Sequence, residues 1–335
     1  MKWKKEFLLV LIFIVSQLNA QEIQLLHSGN KVSLRGLSVV NDQVFWASGS
    51  KGMVARSTDG GKTIAWRQVS GYAQRDFRDI HAFDSNTAII MGIAEPAVML
   101  RTEDAGKTWT KVFEDTTKGM FLDAMDFQGS YGVVIGDPIQ DSVYLAMSTN
   151  GGRSWQKIIP ENNCAVMQNG EAFFASSGSN IQWYGSSSSP KFAYISGGTQ
   201  SRLFIHNQCF ALPMLRDKNS TGANALAISG KQGVIVGGDF AADSISTGNL
   251  LLFTTDAPNA FKQPNTAPRG YKSSVVMLNK KQWLVCGTSG VDVSENAGKD
   301  WRFISKTSFH VAKKSAKGQT IYLAGGDGRI AKLVW

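Results

Sequence analysis

Cysteine and histidine are scarce. Three cysteines and four histidines are spread over 335 residues. No CxxC, no CxxCH and no zinc-type spacing occurs, and His27, His81, His206 and His310 stand far apart, so neither a metal site nor a redox dithiol is expected. A G-x-G-x-x-G turn after a strand and a G-x-S-x-G elbow are also missing, which removes the usual dinucleotide-binding and serine-nucleophile readings. Charge is thin at 18%, which speaks against disorder and long solvated helices, and 9 Trp with 18 Phe supply a large core. Beyond Val15 no apolar run approaches the roughly 20 residues that a spanning helix needs, so no membrane span is expected.

Only the N-terminus carries a long apolar run. Lys2, Lys4 and Lys5 precede Phe7 to Val15, and Leu18-Asn19-Ala20 ends on a small residue before Gln21. This pattern predicts a secretory signal over residues 1–20, cleaved to leave a domain of residues 21–335, and hence a periplasmic or secreted protein. No cysteine follows the cut, so no lipid anchor is expected. Cleavage takes away three lysines and one glutamate, lowering the formal charge from +9 to +7. The basic residues are scattered singly through turns, unlike a nucleic-acid stripe. A protein, or an anionic or glycan ligand outside the cytoplasm, is the expected partner of a monomer. An exported chain can bridge one pair among Cys164, Cys209 and Cys286. The apolar settings of Cys209 and Cys286 suit free buried thiols, and no pairing is assigned.

Glycine, at 34 residues, is abundant and organised. Ser57-Thr58-Asp59-Gly60-Gly61, Thr102 to Trp109, Ser148 to Trp155 and Ser294 to Trp301 share the pattern S/T-x-D/N-x-G, the last three ending in Trp; Thr254 to Phe261 is a decayed copy. The hydroxyl and the Asp or Asn bond backbone groups inside a turn, glycine supplies positive φ, and the aromatic returns to an apolar layer. Ser57, Asp59, Gly61, Thr102, Asp104, Gly106, Trp109, Ser148, Asn150, Gly152, Trp155, Ser294, Asn296, Gly298 and Trp301 are therefore given structural roles. Upstream of each turn a strand ends in glycine, as in Ala88 to Gly92, and Phe192 to Gly197 and Ile321 to Gly325 add two copies without a turn, making seven units. The last unit stops one strand short, and Glu22 to His27 is read as the missing outer strand.

These turns are similar to Asp boxes, the bacterial neuraminidase repeat, and the chain from residue 21 onward resembles Asp-box β-propellers. The expected fold is all-β: seven blades of four antiparallel strands, closed by the N-terminal strand. Among such propellers the chain most resembles those like the photosystem II assembly and stability factor. That resemblance implies an exported, non-catalytic, protein-binding module with arginines on one face.

Strand parity sorts the loops. Asp boxes fall on one face, and the starts of the innermost strands fall on the other, around a central channel. Counting back fourteen residues from the glycine that ends the second strand places Arg35, Arg78, Leu122, Ala223 and Ser273 together. Glu171 and His310 come nearby, with Asp79, Asp123, Asn224, Arg269 and Lys272 as neighbours. Mixed arginine and carboxylate groups at one mouth suit charge-assisted recognition of a partner. Resemblance to sialidases implies an alternative, a glycoside hydrolase in which Arg35, Arg78 and Arg269 hold a carboxylate while Tyr271, Glu171 and Asp123 act as nucleophile, its activator and acid. Arg35-Gly36-Leu37 departs from the Arg-Ile-Pro of that family, whose propellers usually have six blades. An oxidoreductase reading, attached to some relatives, finds no supporting motif, and no cofactor is expected.

Overall fold

In the computed structural model, residues 21–160, 163–186 and 188–334 are described; the expected signal segment lies outside them. Seven four-stranded antiparallel sheets form among the described residues. Blade 1 runs Leu34–Val39, Phe45–Gly49, Met53–Ser57, Ala65–Gln68, and blade 2 runs Phe77–Ala82, Ala88–Gly92, Ala97–Thr102, Thr110–Asp115. Blade 3 begins at Leu122–Gln128, blade 4 at Ile181–Ser186, blade 5 at Ala223–Ser229 and blade 6 at Ser274–Met277. Blade 7 takes three strands from Val311–Lys314 onward and its outer strand from Glu22–His27, which pairs with Ile330–Val334 in the register Glu22↔Val334, Ile23↔Leu333. The seven blades and the closing strand are as expected from the repeats. Pairing the two chain ends covers edges that would otherwise be open.

Burial follows position in the blade. Second strands such as Ala88–Gly92 and Trp283–Gly287 are buried at every residue because a neighbouring blade covers each face, whereas outer strands such as Thr110–Asp115 keep one side in water. The apolar side chains collect in clusters between adjacent blades, one of which joins Ile89 and Met91 of blade 2 to Met125 and Val134 of blade 3. Glycine at the end of the second strand has a steric cause. A Cβ on Gly237 or Gly287 would overlap the carbonyl oxygen of Gly222 or Tyr271, where the loop entering the blade crosses.

The box turns are hydrogen-bonded as their residue types demand. Thr102 Oγ1 donates to Asp104 Oδ1 at 2.8 Å and accepts from the Gly106 N–H at 3.0 Å, while Asp104 accepts from the Thr108 N–H at 2.9 Å. Ser57–Asp59, Ser148–Asn150 and Ser294–Asn296 repeat the arrangement. Trp109 then packs against the blade 1 side of its slot, where a Cβ on Gly106 would stand 3.2 Å from Trp46.

Two expectations are corrected. Cys209 is not a free thiol: it is bonded to Cys164, with Cα atoms 5.7 Å apart, because the loop entering blade 4 runs beside that blade's outer strand Gln208–Ala211. Cys286 remains a free, buried thiol. The count of fourteen also fails in blades 3 and 5. A bulge opens each first strand after Leu34, Phe77, Leu122 and Ala223, so the residues equivalent to Arg35 and Arg78 are Asp123 and Asn224, not Leu122 and Ala223. Shorter hairpins, such as Gln128 paired directly with Tyr131, remove one residue from the count.

Candidate binding face

The bulges lift Arg35 and Arg78 toward the centre of the face opposite the Asp boxes. Arg78 Nε donates to Asp76 Oδ2 at 2.9 Å, both side chains being little more than a quarter exposed, and its guanidinium lies over Phe121. Burial holds the Arg35 guanidinium below its ordinary pKa, and the charge of neighbouring Arg78 pushes the same way. His310, equivalent to Arg35 in blade 7, is pushed down to about 4 by burial and then by Arg35. Its Nδ1 stands 3.0 Å from the Leu34 carbonyl, which only accepts, so the neutral ring carries its proton there. Arg329 adds a further positive charge beside His310, with Nη1 donating to the Ser308 carbonyl at 2.6 Å.

Carboxylates around this cluster are mostly withdrawn from it. Asp123 is fully buried and neither oxygen has a hydrogen-bond partner of ordinary length among the described residues. Burial, followed by the Asp137 charge, raises its pKa well above the usual range, and Arg78 opposes that only in part. Burial likewise raises Asp137, which accepts from the Phe173 N–H at 3.0 Å. Asp79 is pushed up to about 7 by burial, against Lys313, while accepting 2.8 Å bonds from the Ile80 and Met125 N–H groups. Among the described residues, Asp76 is the one carboxylate in salt-bridge reach of Arg35, Arg78 or Arg329, and it pairs with Arg78.

The centre itself differs from the expected open channel. Between Ala172 and the first strand of blade 4 the chain crosses the middle of the ring, so that residues 173–180 touch the other blades in turn. Ser176 gives its carbonyl to Arg35 Nη1 at 3.4 Å and its hydroxyl to Asn224 Oδ1 at 2.8 Å. Ser177 Oγ donates to the Ser273 carbonyl at 2.6 Å, and Lys313 Nζ donates to the Gly178 carbonyl at 3.4 Å. The Tyr271 hydroxyl also donates to Asn224 Oδ1, at 2.7 Å, and burial raises that phenol to about 12.

The other candidates are dispersed. Glu171 is held inside blade 4 by Arg202, at 2.7 Å, and does not reach Tyr271. Arg269 is exposed and stacks on Phe303 of the outer strand of blade 6, away from Arg35 and Arg78. Lys272 is buried in an ion pair with Asp292 at 2.7 Å, its pKa lowered by burial. Sequence reasoning missed Asp76, Arg329 and Ser176. The Gly328-Arg329 step follows the second strand of blade 7 and was the available signal for Arg329; nothing local marks residues 173–180. No group of three or more metal-ligating side chains gathers among the described residues.

A family model described as the photosynthesis system II assembly factor YCF48 matches residues 16–117. A solved structure of YCF48 bound to a D1 peptide superposes with a TM-score of 0.66 at 15% identity, covering 95% of this chain and 96% of that one. YCF48 from Cyanidioschyzon merolae gives 0.63 at 19% identity, covering 93% and 98%. The GH74 enzyme of Niastella koreensis gives 0.62 at 13% identity, covering 92% of this chain and 53% of that one. Comparison with curated proteins returned no match. By blade count and box turns the chain is a seven-bladed Asp-box propeller, similar in fold to YCF48.

Proposed function

We propose that this chain is a non-catalytic module that binds a protein partner through the face centred on Arg35 and Arg78. The observation that carries the reading is the charge imbalance there. Three arginines converge there, and only Arg78 has an ion-pair partner, Asp76, among the described residues, while burial raises the pKa of the neighbouring Asp79, Asp123 and Asp137. Partly exposed guanidinium groups, one already stacked on Phe121, are suited to carboxylate and backbone-carbonyl groups of a polypeptide. A similar propeller solved with a D1 peptide supports a polypeptide as the partner class. The hydrolase alternative lacks a paired acid and nucleophile, since Glu171 and Tyr271 have different partners. We further propose that residues 1–20 direct export and are removed, leaving a periplasmic or secreted monomer.

The test combines capture with salt. A partner cross-linked to the wild-type protein in an extract of the secreted or periplasmic fraction should be lost from the Arg35→Ala/Arg78→Ala double variant. Capture should also weaken as ionic strength rises and the Debye length falls below about 8 Å. Salt-independent capture equal in wild type and double variant would reject this face. Hydrolysis of a fluorogenic glycoside panel by the wild type would favour the enzyme reading, and N-terminal sequencing of the exported protein checks Gln21 as the first residue.

A further inference from the structure

Each box hairpin sends an aromatic side chain into the slot between its own blade and the preceding one. Trp66 enters between blades 7 and 1, Trp109 between 1 and 2, Trp155 between 2 and 3, Phe261 between 4 and 5, and Trp301 between 5 and 6. Ile23 of the closing strand packs at the slot between blades 6 and 7. Blade 4 has no box. Its third and fourth strands are joined by the two-residue turn His206-Asn207, with φ of 54° and 58°, and no aromatic returns from it to the slot between blades 3 and 4.

An open groove of about 920 Å³ lies at that slot. Met147 and Ile158 of blade 3 form one wall, and Trp183, Phe192, Tyr194 and Phe204 of blade 4 form the other. The rings are fixed by one another: Tyr194 stacks on Phe204 at 4.4 Å, and Trp183 meets Phe192 edge-on at 5.3 Å. Tyr131 at 42% and Ile159 at 76% exposure extend the apolar surface outward. Lys191 and His206 stand at the rim, and no Asp or Glu occurs among the described lining residues.

We propose that this slot docks a partner polypeptide that inserts a single aromatic side chain flanked by acidic residues. Five equivalent slots in the same molecule accept a ring between two sheets, and in two of them the indole N–H is given to a backbone carbonyl, Trp155 Nε1 to Gly152 at 3.2 Å and Trp301 Nε1 to Gly298 at 2.9 Å. The rim supplies the charge selection, because Lys191 has no acid beside it among the described lining residues. A rigid aromatic anchor in a preformed apolar pocket is also the kind of contact that concentrates binding energy. The groove runs between the blades from the box-side turns at Tyr131 and His206-Asn207 to Cys164 in the loop entering blade 4, and none of Arg35, Arg78 and Arg329 lines it.

The probe is a fluorescein-labelled pentapeptide, Glu-Asp-Trp-Asp-Glu, titrated into the chain from Gln21 onward and followed by anisotropy. Saturable binding is expected, weakened at least tenfold when Ala replaces the peptide's Trp or when Lys replaces its acids. Lys191→Glu, an exposed change, should weaken binding about tenfold with an unchanged melting temperature. Ile158→Trp, which fills the slot from blade 3, should abolish it, and Arg35→Ala/Arg78→Ala should leave it intact. No binding, equal binding of the Ala peptide, or indifference to Lys191→Glu would overturn the proposal. So would a concentration-dependent dimer that Ile158→Trp disrupts, since the slot would then belong to a second copy.

Discussion

Arg202 grips Glu171 from inside blade 4, with Nε at 2.9 and 3.1 Å from the two carboxylate oxygens and Nη2 at 2.7 Å from one of them. Ser196 donates its hydroxyl to the same carboxylate, and the Glu171 side chain has no solvent exposure. Breaking such a pair from one side leaves the other charge buried and uncompensated, at a cost of about 3–5 kcal/mol. Glu171→Gln should therefore lower the urea unfolding midpoint strongly. A variant with the wild-type midpoint would show that the pair carries little of blade 4's stability.

Acid acts in opposite directions on two sets of carboxyls. Hydrogen bonds from Thr63 hold Asp59 down at about 2, and those from Thr108 hold Asp104 lower still, so their contribution is present above the unfolded value near 4 and is lost as pH falls through the folded values. Burial raises Asp79 to about 7, so its folded form keeps a proton that the unfolded chain gives up near 4. Stability from that residue is complete below pH 4 and declines toward pH 7, by at most about 1.4 kcal/mol per pH unit. His310, held down at about 4, and His81, at about 3, oppose this decline below pH 6.5, so the Asp79 contribution is read as the difference between wild type and Asp79→Asn in urea midpoints from pH 2 to 8. In Asp79→Asn the decline between pH 4 and 7 should flatten.

The blades were legible because their signals are local. A box needs only Thr102, Asp104, Gly106 and Trp109 within eight residues, and the hydrogen bonds that close it run inside that span. Gly237 and Gly287 reach only a little further, to the carbonyls of Gly222 and Tyr271 in the loop that enters the same blade. The binding face was legible only in part. Arg35 and Arg78 share a position in successive repeats, but one residue removed from the Gln128–Tyr131 hairpin moves the count from Asp123 to Leu122. Residues 173–180, Arg329 and the bond between Cys164 and Cys209 depend on where a non-repeating loop crosses the ring, and no periodicity encodes that path.

The Cys164–Cys209 bond spans 45 residues, from the loop entering blade 4 to that blade's outer strand. In the chain-entropy picture a loop of that length restricts the unfolded state by about 4 kcal/mol. Reduction, or Cys164→Ser/Cys209→Ser, should lower the unfolding midpoint by a few kcal/mol in ΔG. Thiol titration in denaturant should find one free thiol before reduction and three after. Cys286 should not react in the folded protein, because burial raises its thiol to about 12. Three reactive thiols in the unreduced, denatured chain would mean the bond does not form.

Gly178 decides whether the chain can cross the centre of the ring. Its φ is +59°, and a Cβ there would overlap the Asp79 carboxylate. The neighbours cannot yield easily, since Asp79 is tied to the Ile80 and Met125 N–H groups and belongs to the innermost strand of blade 2. In Gly178→Ala, residues 174–179 should therefore lift from the centre while the blades, held by their own ladders, keep the wild-type β-sheet circular dichroism. Lifting the segment has two measurable effects. Hydrogen exchange of residues 173–180 should accelerate at least tenfold, and the decline in stability between pH 4 and 7 should shrink as water reaches Asp79 and lowers its pKa. Gly119→Ala is the comparison: its φ of +83° is equally unfavourable for a side chain, but no atom lies within 4 Å of the added carbon. It should show neither effect. Unchanged exchange of residues 173–180 in Gly178→Ala would mean that the crossing does not depend on the missing side chain. Loss of partner capture in this variant, with Arg35 and Arg78 both present, would tie the crossing segment to the binding face through the contact between Ser176 and Arg35.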